Sequence, residues 1–277
     1  MPSPFGERLL EAFESKGQLC VGIDPHSTLL SAWELADSAH GLREFSLRVV
    51  DACAGQVSLI KPQVSFFERF GAAGYGVLEE VTQAAKAADL LVIADAKRGD
   101  IGTTMDAYLE AWFGNLSGLH ADALTVSPYL GLGAISAGFA RFEGEGKGVY
   151  SLVATSNPEG ASVQLSTVNG TTLAGDQWSQ LAAINAGASG LGNFGAVLGA
   201  TLDLDAFEID RNHLKTPILA PGFGAQGAKL GDAKAIYGAL SRQVAYSVSR
   251  SVLQAGPREI QMAISASNSE LSSAFSK

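Results

Sequence analysis

The sequence predicts a (β/α)8 barrel of the TIM type, in one domain over residues 1–277. Three observations predict it. Eight short, apolar, β-rich segments recur along the chain. Helical patterns lie between most of them, with no linker or repeat break. Charged residues gather where several of the apolar segments end. A doubly wound open sheet is the alternative. It would more typically carry a Gly-rich turn after its first strand, and "GIDPHST" (22–28) is not one.

The chain opens on an amphipathic helix at 4–16, with Phe5, Leu9, Leu10 and Phe13 on one face. The strands follow as "QLCVGID" (18–24), "SLIKPQVSF" (58–66), "DLLVIADAK" (89–97) and "ALTVSP" (123–128). Then come "GVYSLVATS" (148–156), "GAVLGA" (195–200), "TPILAPG" (216–222) and "QVAYSVSR" (243–250). They are apolar on both faces, as parallel strands covered by helices should be. Helices are expected at 42–55, 75–89, 103–114, 177–190, 231–240 and 257–271, the last with Pro257 in its first turn. The helical pattern is weakest after strands four and six. Residues 157–176, rich in Gly, Ser, Thr and Asn, form a long insertion after strand five. Its length and place predict a lid over the mouth of the barrel.

Composition narrows the function. A net charge of −9 argues against non-specific nucleic-acid binding, which needs a basic surface. A single phosphorylated metabolite remains possible, because a local cationic pocket suffices. No apolar run is long enough for a membrane span, and the N-terminus lacks a signal-peptide pattern. A soluble, cytoplasmic protein is expected. Two cysteines, Cys20 and Cys53, sit in apolar segments and read as buried free thiols.

Side chains alternate along a strand. In strand three, Leu91, Ile93, Asp95 and Lys97 share one face and Val92, Ala94 and Ala96 the other. Strand two places Leu59, Lys61 and Gln63 together. Asp24 closes strand one, and Val248 and Arg250 share a face in strand eight. Five charged side chains should therefore converge on one rim. A lone Lys or Asp at a strand end is ordinarily a solvated loop residue. Repetition at one topological place changes the reading, since buried charges must pair. A lysine between carboxylates is held as an ammonium, suited to stabilising a developing anion and then protonating it. Opposite, "LAPGFGAQGA" (219–228) supplies Gly222, Gly224 and Gly227, and "VSRSVL" supplies Arg250. Loops after strands seven and eight often hold a phosphate.

"GIDP" at 22–25, "KPQ" at 61–63, "DAKRGDIGTT" at 95–104, "TSNPEG" at 155–160, "PGFGAQG" at 221–227 and "SRSVL" at 249–253 appear in that order. With them the sequence resembles the orotidine 5′-phosphate decarboxylase family, in its bacterial group with a DAKRGDIG motif. The resemblance covers nearly the whole chain. It implies conversion of orotidine 5′-phosphate to UMP without a cofactor or metal. It implies that Lys61, Asp95, Lys97 and Asp100 form an alternating catalytic array, with Lys97 protonating C6 of the pyrimidine. Asp24 is implied as a ribose ligand, with Lys61 and Asp100 nearby. Ser156 would read the pyrimidine edge, with Thr155 the neighbouring alternative. Gln226, Arg250 and Gly224 would grip the phosphate. Asp100, Ile101 and Thr104 would reach into a neighbouring subunit's site, making a homodimer with shared sites. Two other readings stand beside this one. A Mg-dependent sugar-phosphate decarboxylase or aldolase shares the Asp-x-Lys-x-x-Asp core, but needs a carboxylate where Lys61 stands. A non-catalytic nucleotide-binding barrel would have no need of the charged array.

Overall fold

In the computed structural model, which describes residues 2–276, eight parallel strands close on themselves in chain order. They are β1 (Leu19–Ile23), β2 (Leu59–Pro62), β3 (Leu91–Arg98), β4 (Ala123–Val126), β5 (Gly148–Ala154), β6 (Phe194–Leu198), β7 (Ile218–Ala220) and β8 (Val244–Val248). Closure is made by β1 against β8, with Leu19 opposite Tyr246 and Val21 opposite Val248. A closed barrel leaves no sheet edge, so short apolar strands are paired on both sides.

The alternation read from the sequence sorts the core. Cys20, Leu59, Ile93, Ala123, Tyr150, Val197, Leu219 and Ala245, one from each strand, fill the barrel interior. Their neighbours Val21, Ile60, Val92, Leu124, Val149, Ala196, Ile218 and Val244 face the helices. The N-terminal helix, Phe5–Lys16, closes the bottom of the barrel. Its Phe5, Leu9 and Phe13 join the interior cluster, and the Phe5 ring meets Tyr150 edge-on at 6.0 Å. The interior is thus stoppered with apolar side chains at one end, and polar residues remain for the other.

Some helices open where a side chain offers the backbone a partner. Ser38 Oγ accepts from Gly41 N to open Ala39–Cys53. Thr172 does the same for Leu173–Ile184 through Gly175 N. That helix ends six residues short of the expected 190. Asn185 instead exchanges two hydrogen bonds with the backbone of Phe194 and so turns the chain toward β6. The final helix runs Gly256–Phe275, with Pro257 in its first turn.

Two connections depart from a plain alternation of strand and helix. The sixth strand is not followed by a helix. Residues 199–217 run as turns in which Asp203 and Asp210 accept from the backbone N–H groups of Asp205 and Asn212. Such local side-chain bonds compete with a helix, and Leu204, Phe207 and Ile209 cover the barrel there. The insertion at 157–176 is not irregular. It contains a helical turn, Ala161–Gln164, and a hairpin pairing Thr167–Val168 with Thr171–Thr172. Asn169 and Gly170, both at positive φ, form the hairpin tip. Glu208 accepts from Thr171 Oγ1 and Thr172 N and ties the hairpin to the turns after β6. No helix among the described residues is long and apolar enough to cross a membrane.

Candidate active site

The C-terminal mouth of the barrel holds a cavity of about 450 Å³. Its floor is Leu152, Val197 and Leu219, and its walls carry Asp24, Lys61, Gln63, Asp95, Lys97, Ser156, Gln226 and Arg250. All five charged side chains expected to converge do so. A larger cavity, about 530 Å³, lies at the opposite end around Arg8, Lys16, Asp89 and Asp122. Two ion pairs engage those four charges, Arg8–Asp122 and Lys16–Asp89, each at 2.8 Å. It lies where barrels build stability rather than chemistry.

Asp95 is the centre of the array. Its Oδ2 accepts from Lys61 Nζ at 3.0 Å and from Gln63 Nε2 at 3.2 Å. Its Oδ1 accepts from Lys97 Nζ at 2.7 Å and from Thr125 Oγ1 at 2.9 Å. Burial alone would raise its pKa, but the Lys61 and Lys97 ammonium groups outweigh that and hold it well below the usual carboxylate range. Burial likewise works against the Lys61 ammonium, and Asp95 and Asp24 more than compensate, so its pKa lies above the ordinary lysine value. Asp95 and Lys61 are therefore ionised throughout the neutral range. Lys61 is sealed beneath the surface, whereas the Lys97 side chain is 44% exposed and looks into the open cavity.

Simple alternation does not place Lys97. The pairing of β3 with β4 shifts between Ala94 and Arg98, and Lys97 has φ of +52°. The strand bulges there, and a bulge re-aims a side chain. Arg98, just beyond, turns away to Glu68 and Tyr75.

Asp24 Oδ2 accepts from Ser249 Oγ at 2.5 Å, while its Oδ1 is buried without a hydrogen-bond partner. Across the mouth, Ser156 Oγ donates to Gln226 Oε1 at 3.1 Å. Thr155 Oγ1 is engaged by Asn157 and Gln164 of the insertion, which leaves Ser156 as the hydroxyl joined to Gln226. Arg250 lines the cavity, but strand alternation is not the reason. Val248 packs outward with Val244 and Tyr246. Arg250 reaches the mouth because the chain turns sharply at Ser249 into the short helix Arg250–Leu253. Gly224 does not line the cavity. Its N–H donates to Ala228 O, its φ is +74°, and a Cβ there would stand 2.6 Å from Ser251. Its contribution is the shape of the loop.

Asp100, Ile101 and Thr104 stay outside their own chain's cavity. Asp100 Oδ1 accepts from Ile101 N, and Ile101 is 60% exposed. Sequence reasoning gave no role to Gln63, Thr125 or Ser249. The alternation of β4, with Ala123 inward, signals that Thr125 faces the interior too. Cys20 lies under the array, and burial pushes its pKa up to about 12, so it offers no thiolate. Both cysteines are free and buried, as expected.

A closed barrel with ion-paired lysines at one mouth and an arginine beside a glycine loop is the build of an enzyme acting on a small anion by fixed charge. A family profile described as orotidine 5′-phosphate decarboxylase / HUMPS family matches residues 17–262. The chain belongs to that family. It is similar to the orotidine 5′-phosphate decarboxylase of Streptomyces coelicolor, 49% identical over 92% of this chain and 91% of that protein. It is also similar to that of Corynebacterium glutamicum strain R, 45% identical over 93% of each. A Streptomyces avermitilis crystal structure, provisionally named as the same enzyme, superposes with a TM-score of 0.94 at 46% identity. That match covers all of this chain and 97% of the other.

Proposed function

We infer that this protein decarboxylates orotidine 5′-phosphate to UMP, with Lys97 as the group that stabilises and protonates C6. The observation that carries the reading is Lys97 Nζ, fixed 2.7 Å from an ionised Asp95 and facing an open cavity. The bond from C6 to the carboxyl carbon breaks, CO₂ leaves, and the electron pair stays on C6 in the ring plane. No π system delocalises it there, so positioning and electrostatics must lower the barrier. Lys97 gives its proton to C6 and regains one from water. Asp95, whose other oxygen is engaged by Lys61, keeps the ammonium in place, together with Asp100 from the neighbouring subunit. Asp24, with one carboxylate oxygen free, suits a ribose hydroxyl. Ser156 and Gln226, already joined, suit the pyrimidine edge and the path to the phosphate, and Arg250 suits the phosphate itself. The insertion reaches the rim through Gln164 and Thr155 and is the candidate lid.

The experiment is a direct assay following loss of orotidylate absorbance with purified protein in EDTA. Sustained turnover is expected. No turnover, or turnover only with an added divalent metal, would overturn the reading, the second outcome in favour of the metal-dependent alternative. Lys61 occupies the strand-two position where that alternative needs a carboxylate. In the same assay Arg250→Ala should lose about 10²-fold or more in kcat/KM, because remote phosphate binding drives closure. Added phosphite should partly restore turnover of a substrate lacking the phosphate. An unaffected Arg250→Ala enzyme would remove Arg250 from phosphate binding.

A homodimer with shared sites accounts for Asp100, Ile101 and Thr104 standing outside their own cavity. Ile101, Tyr129 and Leu130, on the loops after β3 and β4, are exposed hydrophobics that a second copy would cover. A monomer in sedimentation at micromolar concentration would overturn it. Two buried free thiols suit the reducing cytoplasm. Recovery in a membrane or secreted fraction would argue against that location.

A further inference from the structure

The backbone of Lys97 lies in the left-handed region, at φ +52°, inside the β3 bulge. Residues other than Gly, Asn and Asp seldom stay there unless the surroundings hold them. Either side of the bulge the ladder to β4 is regular: Asp122 N donates to Val92 O, and Ser127 N to Arg98 O. Within it, Lys97 N–H donates at 3.0 Å to a side chain, the hydroxyl of Thr125. The same hydroxyl donates to Asp95 Oδ1 at 2.9 Å. That oxygen also accepts from Lys97 Nζ at 2.7 Å. One fully buried hydroxyl on β4 therefore grips Lys97 twice, by its backbone and through the carboxylate that holds its amine.

We propose that Thr125 is a positioning residue for Lys97, holding the bulged backbone and the Asp95 carboxylate in the one arrangement that presents the ammonium to the cavity. Thr125 does not line that cavity. Its Oγ1 accepts from one neighbour and donates to the other, so its proton has a fixed place. Its β-branch limits χ1, which keeps the hydroxyl where both partners need it. Valine is nearly isosteric but removes both bonds. It leaves a buried N–H and one carboxylate contact without a partner, which favours relaxation of the bulge. Serine keeps the hydroxyl with a looser χ1.

As a statement about catalysis, this rests on the decarboxylase reading. Thr125→Val is expected to lower kcat about 10- to 100-fold, the scale of a catalytic group displaced by about 1 Å. KM should stay within about threefold, since no substrate contact is removed. Thr125→Ser should recover most of kcat. A purely structural role would lower melting temperature and yield while leaving kcat of the folded enzyme unchanged. Unliganded crystal structures of wild type and Thr125→Val provide the second readout. In the variant Lys97 should leave positive φ and its amine should separate from Asp95. Retention of that φ and of the Lys97–Asp95 contact, or a kcat within twofold of wild type, would overturn the proposal. Should Thr125→Val not fold, Thr125→Ala removes the same hydroxyl and faces the same criteria. Wild-type protein inactive on orotidylate would sink the functional reading alone. The crystallographic comparison would still decide whether Thr125 places Lys97.

Discussion

Lys97→Ala is expected to lower decarboxylation by at least about 10³-fold, the combined scale of a positioned proton donor and a fixed charge at the reacting atom. The barrel should remain folded. Lys97 is the partly exposed member of the array. Without it Asp95 still accepts from Lys61, Gln63 and Thr125, so no buried carboxylate is left uncompensated. Initial rates alongside a thermal melt measure both halves. Activity within tenfold of wild type would take Lys97 out of its role. The same variant tests site sharing. If Asp100 serves the neighbouring subunit, Lys97→Ala and Asp100→Ala chains, each inactive alone, should recover activity when mixed. Random reassortment into twofold dimers makes half of them hybrids, each with one intact site, for about a quarter of wild-type activity. A mixture no more active than its parts would mean that each site is built from one chain.

The strands were legible because their side-chain period is two, and each strand contributes one inward residue to the core in the predicted register. Lys61, Asp95 and Asp24 follow from that period directly. Lys97 follows from it only by coincidence, since a bulge and a left-handed backbone intervene. Nothing in "DAKRGD" marks a bulge. Arg250 was placed in the site for a wrong reason, because the turn at Ser249 depends on tertiary context rather than on strand pattern. The helical pattern is weak after β6, where apolar Leu204, Phe207 and Ile209 lie among aspartates, and the aspartates decide the outcome by bonding backbone groups nearby. The insertion's Asn169-Gly170 hairpin was readable from its turn chemistry. The compositional signal of a polar loop hid it. Gln63 and Thr125 are neutral side chains, and pattern reading favours charge. Their importance comes from what they bond, which only geometry reveals.

Asp95→Asn should be the most damaging single change to both stability and activity. Asparagine keeps the volume and some hydrogen bonds but removes the anion between two cations. Lys61, 6% exposed, is then a buried ammonium that has lost its nearest counter-charge. Breaking a buried pair in this way costs about 3–5 kcal/mol. For a chain of this size that is a fall of roughly 10 °C in melting temperature. Decarboxylation should fall at least about 10³-fold, because the Lys97 amine loses its anchor. The two proteins should also differ in pH dependence. In wild type the Asp95 pKa is depressed, so its stabilisation is present above the unfolded value near 4 and is lost as pH falls toward the folded value. The variant has no such group, and the gap between the two melting curves should narrow below about pH 4. On the alkaline side, Lys61 in wild type has a raised pKa, and its contribution persists until pH passes the unfolded lysine value. In the variant burial acts on Lys61 with less opposition and its pKa falls. If it falls below the unfolded value, stability of the variant should rise with pH between the two. Melts from pH 3 to 10 test both limbs. Equal melting temperatures at pH 7 would mean that Asp95 is not the charge that holds this mouth together.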